Sequence, residues 1–316
     1  MTRNNLPQPS RRAVLGGVSA AALTLAVGAG PAQAGTRHSW PTQFPLPDGF
    51  LPEGITIGAK PYAYMGSRAN GAIYRTDLRT GNGRIVHAGT PGTTAIGLKL
   101  DHDGLLYVAG GDGGTGRVIN ARTGELLHTY RLTRASSTFV NDVVLIGDRA
   151  WFTDSVNGVL YSVPRDGRGR VRTLPLTGDW EQLPQATNSN GIVATQDGRG
   201  VIVVNTTSGA LHQISLRTGT TSRITLEGGA GSVVNGDGLV RIGRTLYVVQ
   251  NHSNLISVWE LSRDTQRARL RRTIKDPRFD VPTTAARYGH HLYLVNARFT
   301  SPQVPETTFT GVAVPL

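Results

Sequence analysis

Glu53, Asn141, Asn190 and Asp237 carry side-chain oxygens that suit a hard cation, and each opens a short apolar run: "EGITIG", "NDVVLIG", "NGIVATQ" and "DGLVRIG". Two carboxylates neutralise a divalent ion, and two amides add coordination without surplus charge. Ca²⁺ is the first expectation for such a set, with another divalent cation as the alternative. Asn and Asp also punctuate strand starts as ordinary turn residues, but Glu53 is not a turn residue. The chemistry needs a fold that carries these distant positions to one point.

A repeat supplies that fold. After residue 35 helical periodicity is hard to find. Instead, a polar residue, a small residue, a short apolar strand, a tight turn, an aromatic-rich strand and a third strand recur. The copies open at Glu53, Ile96, Asn141, Asn190, Asp237 and Thr283, between 43 and 49 residues apart. A four-stranded propeller blade occupies about 40–50 residues, so the expected fold is all-β, a six-bladed β-propeller with a central metal site. The last copy lacks a closing strand, which either "GVAVPL" at the C-terminus or the segment before Glu53 can supply. In a propeller the innermost strands line the central channel, so equivalent positions converge on its axis.

The strings "PEGI", "NDV", "NGI" and "DGL" stand at four repeat starts. In that order and phase they resemble the SMP-30/gluconolactonase superfamily, with relatives among paraoxonases and squid-type phosphotriesterases. The resemblance covers nearly the whole chain after residue 34. It implies Glu53, Asn190 and Asp237 as core metal ligands. Asn141 would be a fourth ligand, as in paraoxonase-like members, or a substrate contact, as in gluconolactonase-like ones. Asp237 would double as general base, or as nucleophile in the phosphotriesterase-like version, and Asp142 matches a residue lining the site there. Ser189 stands where the family often has proline, and the paraoxonase disulfide is impossible in a chain without cysteine. Ile96-Gly97 offers no ligand, and Thr283-Thr284 lacks the late-blade glutamate of the strictosidine-synthase-like branch.

The first 34 residues read as an export signal and residues 35–316 as the propeller domain. Arg11-Arg12, an Ala/Leu/Val/Gly run and Ala32-Gln33-Ala34 match a twin-arginine leader with an A-x-A cleavage site; Sec export is the alternative. Nothing later is apolar enough to span a bilayer, so the expected product is secreted, monomeric and without a membrane partner. Cleavage removes three of 33 basic residues and none of the 21 acidic ones, for a net charge of +9. The arginines are scattered. The dense stretch "SRDTQRARLRR" alternates Arg267, Arg269 and Arg271 with Ala268 and Leu270, as a solvated edge strand does. No stacking aromatics interleave it, which argues against a specific nucleic-acid partner and leaves weak polyanion binding as what the basic surface could offer.

Other motifs carry less. Asp101-His102-Asp103 and His290-His291 fall in hairpin turns, where solvated turn residues are expected. "GGDGGTG" has no helix after it to bind phosphate, and no G-x-S-x-G nucleophile elbow is present. Tyr107, Trp151, Tyr247 and Tyr293 share one phase and are expected in inter-blade cores. The expected function is an exported Ca²⁺-dependent hydrolase of the lactonase/esterase type acting on a small lactone or ester. The alternative is a non-catalytic binding or scaffold propeller with a structural ion.

Overall fold

Short, β-branched and aromatic-rich runs closed by Gly- and Asp-containing turns leave little choice but antiparallel strands. The computed structural model describes residues 39–316, and the export segment read at residues 1–34 lies outside the described residues. Twenty-five strands and no helix occur among the described residues. After β1 (Gln43–Leu46) comes a first meander: β2 (Pro52–Ile57), β3 (Tyr62–Ser67), β4 (Ile73–Asp77) and β5 (Gly83–His87). A second holds β6 (Leu98–Leu100), β7 (Leu105–Ala109), β8 (Thr115–Asn120) and β9 (Leu126–Arg131). The third is β10 (Val140–Ile146), β11 (Arg149–Asp154), β12 (Val159–Pro164) and β13 (Arg172–Pro175), followed by the two-residue β14 (Thr177–Gly178).

The fourth runs through β15 (Ser189–Ala194), β16 (Gly200–Asn205), β17 (Ala210–Ser215) and β18 (Thr220–Glu227). The fifth comprises β19 (Gly236–Ile242), β20 (Thr245–Gln250), β21 (Leu255–Leu261) and β22 (Arg267–Ile274). Last come β23 (Pro282–Tyr288), β24 (His291–Asn296) and β25 (Phe309–Pro315), and β1 pairs antiparallel with β25 as their fourth strand. Both segments that the sequence offered for closure are therefore used, side by side. By hydrogen bonding these make four separate four-stranded sheets and one nine-stranded sheet. In the latter the fourth and fifth meanders join through a parallel β18–β22 pairing, with β14 on β18.

The first strands β2, β6, β10, β15, β19 and β23 pack on one another in sequence, and β23 returns to β2. The core is correspondingly divided, with one apolar cluster between each pair of neighbouring meanders. Tyr64, Leu98 and Leu106 sit between the first and second; Phe44, Ile55, Met65 and Phe309 join the last to the first. Tyr107, Trp151, Tyr247 and Tyr293 are all buried in these clusters. The fold is all-β and propeller-like.

Two sequence expectations need correction here. The Asp101-His102-Asp103 turn is not wholly solvated: Asp101's side chain is only 2% exposed and takes Arg165 Nη2 at 3.1 Å, while His102 and Asp103 face water. Arg165 follows the second hairpin of the third meander, so this ion pair ties neighbouring sheets together. The β22 stretch keeps its alternation, with Ala268 buried between exposed Arg267 and Arg269, but its edge is not free. Thr225–Glu227 of β18 pairs with Arg267–Arg269, covering those backbone groups. Arg271 and Arg244 both pair with Glu260, which neutralises part of the basic face.

Candidate active site

The same irregularity marks five of the six first strands. Pairing with the second strand breaks between Pro52 and Ile55, Val140 and Val143, Ser189 and Ile192, Gly236 and Leu239, and Pro282 and Ala285. Each break releases two residues from the ladder: Glu53-Gly54, Asn141-Asp142, Asn190-Gly191, Asp237-Gly238 and Thr283-Thr284. A bulge of this kind re-aims side chains. The glycines are required by close approach, because a Cβ at Gly191 would overlap Asp237 O on the next first strand. Polar residues at a buried strand start are thus explained by a bulge that frees one residue of each pair to face inward.

Glu53, Asn141, Asn190 and Asp237 all line one cavity of about 570 Å³. Ile96 and Thr283 do not; Thr283 Oγ1 instead donates to Glu53 O at 2.6 Å. Of the loop Leu176–Asn190, only Thr187 and Asn190 reach the cavity, and Trp180 turns away, its ring tilted against that of His212 at 5.0 Å. Asp142 is buried but is not among the lining residues. It lies against Gly97, where a side chain would overlap its carboxylate. Its Oδ1 accepts from Val143 N at 2.8 Å and its Oδ2 from Ile192 N at 3.3 Å, with Lys99 Nζ 3.8 Å from Oδ1. The carboxylate therefore binds the third first strand to its neighbours.

Hydroxyls fix the two amides. Ser155 Oγ gives its only proton to Ser189 O at 2.7 Å, so it can only accept from Asn141, whose Nδ2 donates to it at 2.8 Å. Thr206 Oγ1 likewise donates to Gly236 O at 2.6 Å and accepts from Asn190 Nδ2 at 3.1 Å. With each amide nitrogen committed, its oxygen is the group left over. Asn251 Nδ2 donates to Asp237 Oδ2 at 2.7 Å. Ser155, Thr206 and Asn251 each directly follow a second strand, and the residue at that place in the first meander is Arg68. All four backbone amides bond back to the segment just before the first strand of their own meander.

Glu53 Oε2, Asn141 Oδ1 and Asp237 Oδ1 are buried with no hydrogen-bond partner. Three unsatisfied oxygens from three strands in one cavity are costly unless something binds them. Burial first, and then the neighbouring Asp237 and Asp142 carboxylates, hold Glu53 well above the usual carboxylate range. Burial also pushes Asp237 up to about 7, against the hydrogen bond from Asn251 and with Asp142's charge adding to the rise. Among the described residues no three His, Asp or Glu side chains cluster as metal ligands; this donor set is two carboxylates plus amides. Hard oxygen donors carrying two negative charges fit Ca²⁺.

Sequence reasoning did not single out Arg68, Asn251, Thr206, His252 or Phe299, all of which line the cavity. The only signal for them was position, at or just beyond the ends of strands.

No protein-family model and no curated protein matches this sequence. Solved structures do match. The Malassezia sympodialis allergen Mala s 1 aligns with 14% identity over 87% of this chain and 96% of that one, at a TM-score of 0.66. This is a propeller likeness. Regucalcin from Agrobacterium tumefaciens, described as a calcium-binding protein, is similar with 16% identity over 87% and 95% of the two chains, at a TM-score of 0.61. Virginiamycin B lyase from Staphylococcus aureus gives 15% identity over 87% and 88%, at 0.59. Identities this low speak to fold alone.

Proposed function

We propose that this chain is an exported, six-bladed propeller of the SMP-30/gluconolactonase type that hydrolyses a small lactone or ester with the help of Ca²⁺ or another divalent cation. The six meanders are its blades. The observation that carries this reading is the set of unpartnered, buried oxygens Glu53 Oε2, Asn141 Oδ1 and Asp237 Oδ1 lining one cavity. Glu53, Asn141, Asn190 and Asp237 would hold the cation. When bound it would supply a Lewis acid to polarise a carbonyl or phosphoryl oxygen.

Asp237 is the candidate general base by the family resemblance; burial raises its pKa in the cation-free site, and a bound cation would draw it down again, so its ligand role comes first. Asn251 orients it by engaging Oδ2, which leaves Oδ1 to the cavity. Asp142 serves as a positioning residue in this reading, because the amides of Val143 and Ile192 occupy its oxygens. The described calcium binding of the regucalcin neighbour supports the choice of ion.

The test is a panel of lactones, aryl esters and phosphotriesters assayed with Ca²⁺ and with chelator. Hydrolysis that needs Ca²⁺ and disappears in Asp237→Ala supports the proposal. Calcium-dependent thermal stability without turnover of any class would favour the scaffold reading instead. Export is tested by N-terminal sequencing of the secreted product, which should begin at Gly35.

A further inference from the structure

Arg68 occupies the place that Ser155, Thr206 and Asn251 fill in the third, fourth and fifth meanders. Its amide donates to Leu51 O at 3.0 Å, as theirs donate to Phe139 O, Asn188 O and Asn235 O. Those three side chains are bonded to Asn141, Asn190 and Asp237. Arg68 has no such bond to Glu53. Its guanidinium carbon sits 4.7 Å from the centroid of the Phe299 ring, and Nη2 donates to Gln303 Oε1 at 2.7 Å. Nε is buried and unpartnered. Among the described residues no carboxylate lies within ion-pair distance of 4.0 Å.

Among the other half-buried arginines of the described residues, Arg75, Arg149 and Arg241 have no carboxylate but lie outside this cavity, Arg75 over Tyr62 and the other two donating to backbone carbonyls, while three are matched. Arg165 has Asp101, Arg278 has Asp276 and Arg298 has Asp280. Arg117 is buried without a carboxylate, but it donates to Thr94 O and does not line this cavity. Among the described residues, Arg68 is the arginine that combines a position in this cavity, an aromatic seat and an unused Nε. Burial lowers its pKa, partly offset by Glu53's charge. A planar fork held by an aromatic face is preorganised for bidentate pairing with a carboxylate. Charge counting agrees: a divalent ion would offset Glu53 and Asp237, leaving Arg68 as one uncompensated positive charge. Phe139, Val234 and Phe299 give the same cavity apolar wall for the body of such a ligand.

We propose that Arg68, seated on Phe299, recognises a carboxylate on the substrate, so that this cavity selects anionic esters or lactones over neutral ones. The word substrate rests on the hydrolase reading above; the carboxylate site does not. The test is calorimetric binding of phenylacetate and its neutral isostere phenylacetamide to the full protein in saturating Ca²⁺, for the wild type, Arg68→Gln, Arg68→Lys and Phe299→Leu.

The wild type should prefer phenylacetate by about tenfold, the scale of one charge-assisted, two-point contact. Arg68→Gln should erase the preference, and Arg68→Lys should keep part of it. Phe299→Leu should weaken it. Calcium-induced stabilisation should persist in Arg68→Gln, showing that the variant is folded. An undiminished preference in Arg68→Gln, or none in the wild type, overturns the proposal. If the Arg68-dependent preference holds although no ester or lactone is turned over, the carboxylate site stands and the hydrolase reading falls. Calcium-dependent turnover that favours neutral esters would do the reverse.

Discussion

Asn251 Nδ2 holds Asp237 Oδ2 at 2.7 Å while Oδ1 of the same carboxylate stays buried and unpartnered. One oxygen is thus fixed so that the other can face the cavity. The arrangement is unfavourable for the empty protein and favourable for a bound cation, so the two effects should separate on mutation. Asp237→Asn is expected to raise the melting temperature of calcium-free protein, since it removes a buried charge. The same change should abolish the calcium response.

For the wild type, Ca²⁺ at about 100 times its dissociation constant should add ~2.7 kcal/mol, or roughly 4–5 °C for a domain of this size. Glu53→Ala and Asp237→Ala should both lose this response, while Asn141→Ala should only weaken it, because water can replace a neutral amide. Differential scanning calorimetry with and without Ca²⁺ decides. Equal calcium stabilisation of the wild type and Asp237→Asn would exclude Asp237 as a ligand.

His212 provides a pH signature away from the cavity. Burial, then the charge of Arg223, lowers its pKa from 6.5 to about 4, with Asp179 opposing. Its Nδ1 is buried without a partner. The folded state therefore binds fewer protons than the unfolded state between those values, and stability must fall as pH drops through that window. Above about pH 6.5 the contribution is fully present. A shift of this size corresponds to about 3 kcal/mol at pH 4. His212→Gln should flatten the stability profile between pH 6.5 and 4. A variant with the wild-type acid slope would show that other groups dominate acid unfolding.

The period of the repeat, and four of its starts as residues that line one cavity, were legible in the sequence, because a closed circuit of first strands brings the second residues of β2, β10, β15 and β19 to one place. What lay around them was not. Ser155, Thr206, Asn251 and Arg68 occupy one geometric position 14 to 16 residues downstream of their strand-start partners, but they share no residue type for a pattern to catch. Asp142 is expected at the site because it matches a residue that lines it in the phosphotriesterase-like relatives. In a bulge, however, consecutive residues point differently, and the space at Gly97, just before the neighbouring strand β6, received its side chain.

Asp101 shows how a chemically suggestive cluster can be structural. Its Oδ1 accepts from Asp103 N at 2.9 Å and Leu105 N at 2.8 Å, while Oδ2 takes Arg165. One side chain thus forms a turn and an inter-sheet ion pair. Removing one partner of a buried pair costs about 3–5 kcal/mol, and Arg165's 20% exposure puts Asp101→Ala toward the lower end. The expected result is a melting point several degrees lower with the calcium response intact. Loss of calcium binding at unchanged stability would instead make Asp101 part of a functional site.

Closure of the ring rests on a contact between Phe44 and Gly311. The two are direct cross-strand partners in the β1–β25 pairing, and a Cβ at Gly311 would overlap the Phe44 ring. Phe44 is 1% exposed and packs with Ile55, Met65 and Phe309, so the ring both covers a glycine in a strand and fills the core between the last and first meanders. Strand glycine otherwise leaves a gap that weakens pairing. Gly311→Ala should therefore overpack the site and cost about 1–3 kcal/mol. Phe44→Ala should open a cavity and cost about 3–5 kcal/mol. The double variant should be less destabilised than the sum of the two, because the added methyl enters the space that the ring vacates. Urea unfolding of the four proteins measures this coupling, and strict additivity would show that β1 does not seat Phe44 on Gly311.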